Sequence, residues 1–177
     1  MNILKKIGLV LLGIIVLLLI IAIFIKKEYK VEKSVVINKR KQEVFDYIKN
    51  FRNQMEYNKW TMPDPNMKTE FRGQDGAVGS TFYWNGNDDV GEGEQEIKTI
   101  VEGKRLDIEL RFKRPFESTA NAFMFTDEVS TTQTRVTWGM EGRSSYPMNL
   151  MNIFMDSMLG NTIHESLEIM KSKLEKK

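Results

Sequence analysis

Arg105-Leu-Asp-Ile-Glu-Leu-Arg-Phe-Lys113 alternates without a fault: Leu106, Ile108, Leu110 and Phe112 share one parity, Asp107, Glu109, Arg111 and Lys113 the other. Successive side chains of an extended chain point to opposite faces, so this stretch is a strand with one dry and one wet face. Such strands belong to antiparallel sheets covered on one side. Upstream, Phe82-Tyr-Trp84 leads into Asn85-Gly86, a dipeptide that predicts a tight hairpin turn. A long strand is predicted over Val90–Glu102, then a turn at Gly103-Lys104. Downstream, Pro115 interrupts the pattern and Ser118–Asp127 resumes it. A Thr-rich polar turn at 130–134 follows, and Arg135–Gly142 closes the series with Val136, Trp138 and Met140 on one face. The whole reads as an antiparallel meander.

The flanks supply the cover. Residues 29–38 are rich in β-branched side chains and read as a strand. Lys39–Asn50 carries Val44, Phe45 and Ile48 on one helical stripe. Residues 51–68, with Trp60 and Pro63-Asp64-Pro65, are irregular apart from a short helical turn near 52–57. At the other end, Pro147 suits a first helical turn, and Met151, Phe154/Met155, Met158, Ile163, Leu167, Met170 and Leu174 fit helical spacing. Gly160-Asn161 predicts a kink, and the firmer helix runs from about Thr162. The order is strand, helix, meander, long helix, with no internal repeat or Gly/Ser linker. A dry sheet face needs a cover, and the closing helix is the long amphipathic element able to supply it. The predicted class is α+β: a curved antiparallel sheet gripping a long C-terminal helix.

The amino terminus is of a different kind. Ile7–Ile25 is 19 residues without a polar or charged side chain, bracketed by Lys5-Lys6 and Lys26-Lys27. At ~1.5 Å per residue it spans ~28 Å, close to the ~30 Å hydrocarbon core of a bilayer. A cleaved signal would be shorter and end in a small-residue site, which Ala22-Ile-Phe-Ile-Lys26 does not offer. The reading is a single-pass membrane anchor over residues 1–28 and a folded domain over 29–177. Bases follow the run as well as precede it, and long domains cross regardless of charge, so the side on which the domain lies stays open.

The chain of 177 residues has 26 Lys+Arg, 24 Asp+Glu, one His and no Cys. Residues 1–29 hold four of those bases and one of those acids, so the remaining 148 carry 22 and 23, a net charge of −1. The basic balance belongs to the flanks of the apolar run, and nothing predicts the basic face of a nucleic-acid binder. The absence of Cys excludes disulfides and thiolate chemistry, and one His excludes a His-rich metal site. No metal or organic cofactor is expected.

Several stretches carry a resemblance. Val35-Val-Ile-Asn38 with Glu43-Val-Phe-Asp-Tyr-Ile48, Asn58-Lys-Trp60, Gly79-Ser-Thr-Phe-Tyr-Trp-Asn-Gly86, Val90-Gly-Glu-Gly93, Thr134-Arg-Val-Thr-Trp138 and Leu167-Glu-Ile-Met-Lys-Ser-Lys-Leu174 occur in that order. Together, over about 30–177, they resemble the helix-grip fold of the START-like superfamily, also called SRPBCC or polyketide cyclase/dehydrase-like. The resemblance implies an apolar pocket between sheet and closing helix. The superfamily holds carriers, receptors, cyclases and chaperone activators, so it does not imply one job. The amino-terminal anchor departs from its soluble members, and no catalytic motif can be carried over.

The candidate lining residues are Trp60, Trp84, Phe112, Phe123, Phe125, Trp138, Met151, Met155 and Met158. Aromatics bring large apolar area to a ligand site or equally to a core. The methionines, with Met148, could form an adaptable rim, or pack loosely against the bilayer surface. Glu94, Glu96, Glu109, Arg111 and Arg135 read as the solvated sheet face, and Asp88-Asp89 as a turn. His164 reads as a surface residue. Gly86, Gly91, Gly93 and Gly103 serve turns and bulges rather than a phosphate loop. The functional expectation is a membrane-tethered module binding a hydrophobic small molecule or lipid. The alternatives are a cyclase/dehydratase-type enzyme in the same cavity, which needs convergent ionisable groups, and a protein-interaction role, which needs a filled interior.

Overall fold

The computed structural model describes residues 3–62 and 64–176; Pro63 of the irregular stretch lies outside the described residues. Helix α1 (Ile3–Phe24) is long and apolar enough to cross a membrane, and nearly all of it is exposed. Strand β1 (Glu28–Ile37) begins almost at once. Then come α2 (Lys41–Ile48), the single turn α3 (Phe51–Gln54) and β2 (Lys68–Arg72). The meander is β3 (Thr81–Asn85), β4 (Glu92–Val101), β5 (Arg105–Arg114), β6 (Ser118–Ser130) and β7 (Gln133–Arg143). A 3-10 segment (Met148–Phe154) and a π-helical turn (Asp156–Gly160) precede α4 (Asn161–Lys176).

All seven strands form one antiparallel sheet in the order β1-β7-β6-β5-β4-β3-β2. The first strand therefore pairs with the last, Glu28 opposite Arg143 and Ile37 opposite Thr134. The dry face carries Val31, Val35, Ile37, Ile97, Leu106, Ile108, Ala122, Met124, Val136, Trp138 and Met140, all buried. Helix α4 lies against β1 and β7 and presents Ile163, Leu167, Met170 and Leu174, a stripe of three- and four-residue steps. Helix α2 adds Val44, Phe45 and Ile48 over β6 and β7. The fold is the helix-grip α+β class expected.

Four local expectations are corrected. The β3–β4 connection is a six-residue loop, 86–91, and β4 starts at Glu92 rather than Val90. The Asn87 side chain decides this: its Oδ1 accepts from the Asp89 and Val90 amides, and Asp64 Oδ2 accepts from the Asn87 amide. A side chain that bonds the following backbone competes with a two-residue hairpin. Strand β2, of which only Lys68 falls in the stretch read as irregular, is an edge strand whose side chains are exposed except Phe71, so it shows no alternation. The expected bend at Gly160-Asn161 is a change of helix type, with the Lys33 side chain packed where a Gly160 Cβ would stand. The residues before it are not α-helical.

That 3-10 segment is tied to α1. Asn149 Nδ2 donates to the carbonyls of Ala22 (2.6 Å) and Ile25 (2.8 Å), and Asn152 Nδ2 to those of Lys26 and Lys27 (both 2.9 Å). The last carbonyls of a helix lack intrahelical partners; here Asn149 supplies a donor to Ala22 in the last turn and to Ile25 just beyond it, and Asn152 supplies donors to the linker carbonyls before β1.

Leu167 is fully buried in α4, so Leu167→Ala should lower unfolding stability by about 2–5 kcal/mol. Equilibrium denaturation of the detergent-solubilised protein measures this, and a loss below ~1 kcal/mol would mean that α4 is not part of the core.

Candidate functional site

Helix α4 covers the β1–β7 side of the dry face; toward β3 the cover passes to the loop after α3 and to Leu159. Between them is a cavity of about 180 Å³. Its floor is formed by Phe82, Trp84, Gln95, Ile108, Leu110, Phe112, Ala122, Trp138 and Met140, and its roof by Gln54, Asn58, Trp60, Thr61, Val90 and Leu159. The strand residues lie mostly toward the ends shared by the start of β1, the end of β7 and the end of β5, the end of the sheet from which α1 leaves.

Two aromatic runs border it. Trp60 stands edge-on to Trp138 (centroids 5.7 Å apart), which stands edge-on to Tyr57 (6.2 Å). Phe71 stacks on Phe82 (4.8 Å), and Trp84 meets Phe82 and Phe112, each at 6.0 Å. Edge-to-face pairs at this spacing hold rings in place beyond the effect of buried area. Gly93 makes room for one of them, since a Cβ there would collide with the Trp84 ring.

The polar atoms are few. Gln95 Nε2 donates to Gln54 Oε1 at 2.6 Å, and both side chains are buried. Thr61 is bonded to the Asn58 carbonyl and the Trp60 amide to Asn58 Oδ1. Trp138 Nε1 and the Tyr57 hydroxyl are buried with no partner among the described residues. Burial pushes the Tyr57 phenol far above its ordinary range, so it stays neutral. Among the described residues, none that lines the cavity carries a titratable side chain.

Of the predicted lining residues, the structure brings Trp60, Trp84, Phe112 and Trp138 to the cavity. Phe123 and Phe125 lie on the opposite face of the sheet, stacked 6.1 Å apart. Phe123 is 3% exposed there, its ring over Gly139 and flanked by Lys30 and Arg105 at 5.1 and 4.8 Å from its centroid. On β6 it is the small residues Ala120 and Ala122, with Met124, that point inward. Met151, Met155 and Met158 do not line the cavity either: Met151 and Met158 are exposed, and Met155 packs at the edge of the core. Leu159 takes the place expected of them. The buried Gln54–Gln95 pair was not anticipated, although Gln95 shares the inward parity of Gly93 and Ile97 and was readable on that ground.

The charges sit where alternation puts them. Arg111 on the outer face bonds Glu94 and Glu96 at 2.9 Å each, and Glu109. His164 and Arg135 are exposed. The Arg111 guanidinium, with help from Lys98, holds the Glu96 carboxyl below the ordinary carboxylate range.

No protein-family model and no curated protein matches this sequence. Solved structures do. A protein from Thermobifida fusca is 13% identical with a TM-score of 0.63, over 81% of this chain and 91% of that one. The Zhui aromatase/cyclase from a Streptomyces species is 7% identical with a TM-score of 0.62, over 84% and 94%. The Aha1 dimer protein from Colwellia psychrerythraea is 12% identical with a TM-score of 0.53, over 80% and 96%. At these identities the likeness shows a shared helix-grip fold and no activity.

A carboxyl with a depressed native pKa contributes stability above the ordinary carboxylate range, and that contribution is lost as pH falls through the depressed value. Arg111→Met should therefore flatten the fall in thermal midpoint between about pH 5 and pH 3, and lower the midpoint at pH 7. Parallel pH profiles for the two proteins would show that the Glu96 pairing does not contribute.

Proposed function

We propose that the protein is a membrane-tethered binding module for a small apolar molecule. The observation that carries this is the convergence of all three tryptophans of the chain, Trp60, Trp84 and Trp138, on one unfilled cavity. A well-packed core leaves few voids larger than a water molecule, whereas an apolar void of ~150 Å³ holds a benzene ring. At about 180 Å³ the cavity suits one or two rings or a short hydrocarbon segment, not a whole diacyl lipid.

Support for the tether comes from the length and composition of α1 and from its nearness to β1. A guest dissolved in the bilayer would then meet the cavity at high local concentration. The aromatase/cyclase neighbour suggests turnover as an alternative, but a lining without an acid or base among its residues supports binding instead.

Because every tryptophan borders the cavity, intrinsic fluorescence reports occupancy directly. Titration with 2-acetylnaphthalene, two rings and one carbonyl, should quench most of the emission of the full-length protein in detergent. Ala122→Leu fills the floor and should abolish the saturable part while leaving the fold intact. Unsaturable quenching identical in both proteins would overturn the proposal.

Native mass spectrometry of protein released from its own membrane gives the mass of the natural guest.

A further inference from the structure

The stretch between β7 and α4 is built inside out. Its amides face inward: Asn149 is buried against α1, and Asn152 bonds Lys26, Lys27 and the Ser144 hydroxyl. Its apolar side chains face outward, Met148 at 62%, Ile153 at 60%, Phe154 at 55% and Met158 at 52% exposure, with Met151 beside them. In water this arrangement exposes a contiguous apolar patch without return. In hydrocarbon it is the stable arrangement, because there the backbone polar groups need internal partners and the side chains do not.

Position along α1 identifies the occupant. The Tyr146 hydroxyl donates to the Leu19 carbonyl at 3.3 Å, and a wholly apolar groove between the two elements is lined by Ile15, Leu18, Leu19, Met148, Leu150 and Met151. Leu19 stands six residues before Ile25 and Ile15 ten, depths of ~9 and ~15 Å at ~1.5 Å per residue. A segment fastened at those levels cannot remain above a membrane that α1 crosses. Lys26 and Lys27, both exposed at the upper border of the patch, stand at the level of the lipid phosphates.

We propose that residues 146–151 are a second membrane element, lying beside α1 in the acyl region of the leaflet nearest the domain, with Met148 and Met151 in contact with lipid, while Asn152 at the Lys26 and Lys27 carbonyls and Asp156 paired with Lys33 mark the return of the chain through the headgroups. The inference rests on the reading of α1 as membrane-spanning. Backbone bonds from Asn149 to Ser145 and from Leu150 to Pro147, both 3.1 Å, satisfy part of the segment internally. Leu159, eight residues beyond Met151, lines the cavity.

The natural chain has no cysteine, so single-cysteine variants can be spin-labelled without background. The full-length protein is placed in phosphatidylcholine/phosphatidylglycerol vesicles, with labels at Met148→Cys, Leu150→Cys and Met151→Cys, the residues that flank Ile15, Leu18 and Leu19. Ile20→Cys on the free face of α1 tests the spanning helix, and Val78→Cys, at the far end of the sheet and 62% exposed, is the aqueous reference. Thermal midpoints close to that of the parent protein show that each variant is folded.

The measured quantity is the ratio of collisions with oxygen to collisions with a water-soluble nickel complex. At least two of the three segment labels should give a ratio several-fold above that at Val78, in the direction of Ile20. Aqueous values at two or more of them, with Ile20 in hydrocarbon, overturn the proposal and leave the tether standing. An aqueous Ile20 removes both. Labels shielded from both reagents and broadened by dipolar coupling would mean that a second copy covers the patch, which also overturns it.

Discussion

A sheet with one dry face must be covered across its width, and the cover in this chain is too narrow. Helix α4, 16 residues or ~24 Å long, is committed to the β1–β7 side. The other side is left to Gln54 of α3, the loop that follows it, Val90 and Leu159. Large rings from the floor and roof lean into the gap but do not close it, and Ala122 supplies almost no volume to the floor. The cavity is thus a result of element lengths and of one small residue. Its apolar lining follows from the same alternation that sends every nearby charge to the outer face.

The strands of the meander were legible because alternation is a local signal. Arg105–Lys113 shows its two faces without reference to any partner. Which face is inner was not legible where both carry apolar side chains. On β6 the aromatic parity is the outer one, and only the cations of Lys30 and Arg105 over Phe123 make that tolerable. No rule of periodicity sees those residues, since they come from β1 and β5. The β3–β4 loop failed for a related reason: Asn85-Gly86 is a turn signal, but Asp64, more than 20 residues upstream, helps hold a wider loop in place.

The methionines show the limit of helical spacing. Met151, Met155 and Met158 sit at intervals that suit an α-helix facing the cavity. The chain between β7 and α4 instead takes a 3-10 and then a π turn. The carbonyls at the end of α1 and in the linker after it need donors, and satisfying them through Asn149 and Asn152 turns the segment so that its thioethers face away. A lone Asn within an apolar run carries that information, but only once its distant partner is known.

The pairing of the first strand with the last bears on biosynthesis. Strand β1 leaves the ribosome more than 100 residues before β7, and the donors for the final carbonyls of α1 follow later still. Contacts of such sequence separation form slowly, since a long loop must close first. During translation β1 waits as an unpaired edge a few residues from the apolar helix, while the hairpins from β3 to β7 can assemble on their own. Maturation of the sheet is thereby coupled to synthesis of the chain through β7, and a product cut short before it would present an open sheet edge to quality-control machinery.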